Sequence, residues 1–153
     1  MPQETDLAPL AAIAPQLVLV FGAVERMTEN GLVESLKSAF PAAELAGCTT
    51  AGEIGAGGVS DGALVVVALR FSGSRVQLAA TDLADMEDSR AAGQRLGLAL
   101  AAPGLRHVLV LGQGGAKVVD ALRRRSRAGQ QVVDLVNLGA PDGVAAQVEG
   151  LCW

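Results

Sequence analysis

Apolar residues in this chain gather in short uninterrupted runs separated by polar or glycine-rich segments. The first run, LVLVFG at 17–22, is rich in Val and Leu and closes on Gly22, and a run of this length reads as a buried strand. Beyond it, Thr28 or Asn30 can cap a helix in which Leu32, Leu36 and Phe40 recur at four-residue spacing on one face. Glu34 and Lys37 fall on the other side, and Pro41 stops the helix. The segment AELAGCTTAGEIGAGGVSDG, 43–62, predicts a short strand at 44–47 and then a loop with Gly at 52, 55, 57, 58 and 62. ALVVVALRF, 63–71, is the strongest strand pattern in the chain. Gly73 and Ser74 then predict a turn, with RVQLAATDL, 75–83, as the hairpin partner.

A second helix is expected with Asp85 as cap and Asp88 in the capping-box position, running to about Ala101 and ending at Pro103–Gly104. HVLVLG, 107–112, predicts another buried strand, and Ala116–Arg127 a third helix stopped by Gly129. QVVDLVNL, 131–138, reads as a further strand, and the tail from Gly139 to Trp153 has no decisive pattern. Strands near 17–22, 44–47, 63–71, 75–82, 107–111 and 131–136 therefore alternate with three helices. The expectation is an α/β fold: a single layered domain whose mixed, partly parallel β-sheet is flanked by three helices.

Composition narrows the function classes. Of 153 residues, 50% are hydrophobic but only 3% aromatic, so the core is built from small aliphatic side chains and lacks the ring platforms on which nucleic-acid bases stack. A net charge of −4 opposes a general phosphate-binding face. Nucleic acid is not expected as a partner. The N-terminal MPQETDLAPL carries Glu4 and Asp6 and no basic start, unlike a secretory leader. No uncharged apolar stretch approaches the roughly 20 residues that span a bilayer. The expected setting is cytoplasmic, with no membrane partner.

Two cysteines, Cys48 and Cys152, lie far apart, and a single His leaves no zinc-type spacing. No metal or cofactor is expected. Cys48 is either a small half-hydrophobic core residue, the common case, or a nucleophile with no base evident in sequence. His107 reads as a strand-end surface residue. The cluster Arg123, Arg124, Arg125 and Arg127 falls where cations ordinarily complement a helix C-terminus, the alternative being a phosphate grip.

The segment 46–69 carries the candidate chemistry. A strand ends there in two hydroxyls, Thr49 and Thr50, beside Glu53 in a glycine-rich turn. Glycine lets a ligand approach the backbone closely, and open α/β sheets bind ligands at the carboxyl ends of strands. A tight structural turn is the competing reading. The P-loop pattern is absent, as is GxGxxG leading into a helix. If the loop binds a ligand, Thr49 and Thr50 offer hydroxyls, Ala51 and Gly52 backbone N–H groups, and Glu53 an acceptor for an ammonium. That set suits an amino acid.

The string GCTTAGEI, 47–54, with LVLVF before it and GVSDGALVVVALRF after it, resembles the signature of the FIST N-terminal domain over about residues 16–111. The resemblance implies a non-catalytic module that senses small ligands, among them amino acids, in intracellular signal transduction. It also implies a FIST C-terminal or signalling domain as partner, supplied in trans. Residues 1–15 are then an N-terminal extension.

The remaining segment, 112–153, is similar to the C-terminus of GDP-mannose/UDP-glucose dehydrogenases. The similarity rests on Asp134, Leu135 and Val136 and on the closing Glu149, Gly150, Leu151, Cys152 and Trp153. It implies, as the alternative function, a non-catalytic remnant or fusion of a nucleotide-sugar dehydrogenase. The dinucleotide fingerprint and the catalytic Cys setting of those enzymes are missing, so turnover of a sugar nucleotide is not expected.

Overall fold

A computed structural model describes residues 4–55, 58–83, 88–111, 130–134 and 147–150. The chain divides into two compact units, residues 1–78 and 79–153. The α/β class holds, with the strands distributed over a mixed three-stranded sheet, a small hairpin and a second three-stranded sheet.

The first unit starts with helix α1 (Glu4–Ala11), which sequence patterning had not indicated. Pro9 interrupts its hydrogen-bonding pattern, and the helix is held by packing, with Leu7 buried in the core. Strand β1 (Leu17–Gly22) follows, then helices α2 (Val24–Met27) and α3 (Leu32–Ala39) and strand β2 (Glu44–Thr49). Strands β3 (Glu53–Gly55) and β4 (Gly58–Ser60) pair as an antiparallel hairpin, and β5 (Leu64–Leu69) completes the unit. The order is β2-β1-β5, with β1 parallel to β2 and antiparallel to β5.

Alternation along β1 decides where the core lies. Val18 and Val20 are buried on one face, opposite Ala68 and Val66 of β5, while Leu17, Leu19 and Phe21 on the other face are half-buried. Onto the first face pack Leu7 of α1, Leu32 and Leu36 of α3, and Phe40. The four-residue spacing of Leu32, Leu36 and Phe40 thus marks the inward stripe, as the sequence predicts. The helix cap differs from expectation. Gly31, with φ 84°, occupies the N-cap of α3 without a side-chain bond. Thr28 closes the preceding helix instead, its Oγ1 donating to the Val24 carbonyl at 2.8 Å.

The expected hairpin between 63–71 and 75–83 is not formed. Residues 72–83 take no regular structure, and β1 pairs with β5 along its whole length. Tight two-residue hairpins need positive φ at the turn, and Gly73 does not adopt it. The far end of the segment is held by Arg95, whose Nε donates to Thr81 Oγ1 at 3.0 Å and Nη2 to the Asp82 carbonyl at 2.9 Å.

In the second unit helix α4 spans Ser89–Ala99, so it begins later than predicted. Asp88 stands at its N-cap but makes no cap bond, because both carboxylate oxygens accept from Arg95, at 3.0 and 2.8 Å. Strands β6 (His107–Val110), β7 (Gln131–Asp134) and β8 (Gln147–Gly150) form a parallel sheet in the order β6-β7-β8. Four helices are therefore described, against three expected. The expected helix at 116–127 with its arginine cluster, Asp85, and the tail residues Leu135, Val136, Leu151, Cys152 and Trp153 lie outside the described residues.

Candidate functional site

The glycine-rich loop leaves the sheet where β2 runs out beside β1. Close approach of these two strands requires glycine at 47: a Cβ there would lie 1.9 Å from the Val20 carbonyl oxygen. Pairing continues past the strand end, since the Thr50 N–H donates to the Gly22 carbonyl at 2.9 Å. Thr49 and Thr50 are thereby fixed to the end of the central strand.

Glu53 turns inward from this point. Its side chain is only 4% exposed, and it is one of two buried polar residues among those described. Thr50 Oγ1 donates to its Oε1 at 2.5 Å, and the Ala63 N–H donates to its Oε2 at 3.0 Å. A buried carboxylate without partners is very unfavourable, and here the protein supplies both donors. The loop is consequently stapled to the start of β5. Thr49, Ala51 and Gly52 remain exposed, with Thr50 half-buried. The five expected residues are consecutive, running from the last residue of β2 to the first of β3, and differ in burial: Thr49, Ala51 and Gly52 face outward and Glu53 is an inward anchor. Gly52 is close-packed as well: a Cβ there would sit 3.3 Å from Asp61 Oδ1.

An open cleft of about 360 Å³ lies between α1, α2 and the start of β5. Leu7, Leu10, Leu64 and Val66 form its apolar wall, and Gly62 and Ala63 belong to its lining. Arg26 of α2 also lines it, donating from Nε to the Gly62 carbonyl at 2.9 Å and from Nη1 to Glu29 Oε1 at 2.8 Å. Sequence patterning did not single out Arg26. Its only written signal is a basic residue in a short polar stretch after β1, and its partner is a backbone atom far along the chain.

The other candidates stand apart from this loop. Cys48 lies half-buried in β2, and burial pushes its thiol pKa up, against the thiolate that nucleophilic chemistry needs. His107 opens β6 in the second unit and is exposed. Among the described residues, no group of three or more His, Cys, Asp or Glu side chains is placed to hold a metal ion. Among the same residues, no helix is long and apolar enough to cross a membrane.

The model of the FIST N domain family matches residues 16–136, running past Leu111, where the sequence resemblance was expected to end. No curated protein and no solved structure matches the chain. With most of its length covered by that single match, from β1 through β7, the chain belongs to the FIST N domain family.

Proposed function

We propose that this chain is a small-ligand-sensing module acting in intracellular signal transduction, and that it binds an amino acid at the Gly47–Gly58 loop. The observation supporting this reading is the division within the loop. Thr49, Ala51 and Gly52 are exposed at the end of β2, while Glu53 beneath them is buried with both oxygens engaged. A loop stapled in this way holds its outward groups in place before a ligand arrives, which reduces the ordering cost of binding.

In this reading the Thr49 hydroxyl and the Ala51 and Gly52 N–H groups receive the ligand carboxylate. Glu53 acts first as the anchor. Its Oε1 reaches an ammonium only by sharing or displacing the Thr50 hydroxyl, so binding couples to the loop's internal bonds. A FIST C-terminal or signalling domain, supplied in trans, reads out the bound state. No redox or transfer chemistry is assigned to the chain.

The test is a thermal-shift screen of the proteinogenic L-amino acids, with sugar nucleotides and NAD as separate arms, because a ligand selective for the native state raises the melting temperature. A shift with an amino acid, weakened about tenfold in affinity by Thr49→Val, is the expected result. A shift confined to sugar nucleotides or NAD favours the dehydrogenase-derived alternative. No shift with any amino acid overturns the proposal.

A further inference from the structure

The bonds made by Arg26 and by Glu53 converge on one chemical group. The Gly62 carbonyl and the Ala63 N–H belong to the same peptide unit. The Arg26 guanidinium holds its oxygen at 2.9 Å, and the Glu53 carboxylate holds its N–H at 3.0 Å. A peptide carries a dipole of about 3.5 D, with the oxygen negative and the N–H positive. The cation stands at the negative end and the anion at the positive end, so both charges favour the same orientation. Reversing the peptide would point its oxygen at the carboxylate and its N–H at the guanidinium.

The chain at this point needs such a restraint. Gly62 has φ +78°, and an added Cβ there would meet nothing within 4 Å, so no packing from its own side fixes the backbone. The next peptide is pinned separately, its Ala63 oxygen accepting from the Ala23 N–H at 3.3 Å, immediately before α2. The two ends of the clamp differ in access. Glu53 is buried, whereas the Arg26 side chain is 49% exposed and lines the cleft.

We infer that Arg26 is a positioning residue for the loop site: through the Gly62–Ala63 peptide it fixes the donor that Glu53 requires, and so sets the geometry of Thr50 and the exposed Thr49–Gly52 backbone without touching a ligand. The link to binding rests on the loop reading proposed above, while the clamp itself does not.

Residue-resolved amide hydrogen exchange on the full chain tests it, alongside affinity for the amino acids of the thermal-shift screen. Arg26→Met keeps the aliphatic stem and removes both donors, and Arg26→Lys keeps the charge without the fork. Glu29→Gln alters the ion pair without touching Gly62. In Arg26→Met the Ala63 and Thr50 amides should exchange about tenfold faster or more, with the Val18 and Val20 amides unchanged. Arg26→Lys should fall between Arg26→Met and the parent, and Glu29→Gln should leave Ala63 as it was. Amino-acid affinity should fall in step with Ala63 protection. Unchanged Ala63 exchange in Arg26→Met, or acceleration shared equally by Val18 and Val20, overturns the positioning role. Faster Ala63 exchange with unaltered affinity overturns its link to binding. A parent chain that binds no amino acid, yet shows the Arg26-dependent exchange, sinks the loop reading while upholding the clamp.

Discussion

Strand β5 is held at both ends by side chains, and the peptide groups at the two ends are held differently. Past its C-terminal end, Gln16 makes a reciprocal pair with Phe71: the side-chain Nε2 donates to the Phe71 carbonyl at 3.0 Å, and the Phe71 N–H donates to Oε1 at 2.8 Å. The amide side chain thus stands in for one more residue of an antiparallel partner. Arg70 adds two bonds of 3.0 Å to the Ile13 and Ala14 carbonyls. At the N-terminal end the donor and acceptor come from separate charged residues, Arg26 and Glu53, which reach the peptide from α2 and from β3. A neutral amide simply prolongs the sheet. Two charges make the same backbone responsive to whatever changes either of them, and that end is bonded through Glu53 to the loop that carries Thr49 and Thr50. The comparison separates closure of the fold from preparation of a site.

The largest effect expected is common to both ends. Gly47→Ala forces a Cβ against the Val20 carbonyl and should cost about 3 kcal/mol or more in urea denaturation, because backbone cannot move aside as a flexible side chain can. A loss below about 1 kcal/mol would mean that the approach of β2 to β1 is looser than described. The sharper test sets Glu53→Ala against Gln16→Ala. Removing Glu53 leaves a half-buried N–H and hydroxyl unpaired and should cost about 2–3 kcal/mol together with amino-acid affinity. Removing the Gln16 amide should cost about 1–2 kcal/mol and leave affinity alone. Equal loss of affinity in both variants would erase the distinction between the ends. The smallest effect is expected from Gly62→Ala. With open space around the site, only the backbone conformation at φ +78° opposes the substitution, a cost of about 1 kcal/mol by thermal denaturation.

Much of the first unit was legible in the sequence because its signals are local. LVLVFG and ALVVVAL are uninterrupted apolar runs, and Leu32, Leu36 and Phe40 recur at helical spacing. The loop was legible as hydroxyls and a carboxylate among glycines. Pairing was not. The 75–83 segment reads as a hairpin partner by proximity, yet it forms no strand, and the partner of β5 along six consecutive positions is β1, earlier in the chain. Likewise Asp88 has the residue type of a helix cap, but Arg95 occupies its carboxylate. Helix α1 escaped notice because two leucines and a proline within eight residues give little periodicity, and its stability comes from tertiary packing. Glu53 was visible as a polar residue, whereas its bond to the Ala63 N–H and that of Arg26 to the Gly62 carbonyl meet on one backbone peptide that no pattern of side chains encodes.

The central position of β1 has a consequence for biosynthesis. Leu17–Gly22 leaves the ribosome first among the strands of its sheet, yet its partners are Glu44–Thr49 and, later still, Leu64–Leu69. During that interval an apolar, β-prone segment has both edges unpaired, the condition under which nascent chains associate wrongly. The helices that separate β1 from β2 are four and eight residues long, too short to persist alone, so α3 is stabilised by packing Leu32 and Leu36 onto Val18 and Val20. The exposure of β1 therefore lasts until residue 69 has been synthesised, when both of its partners are present.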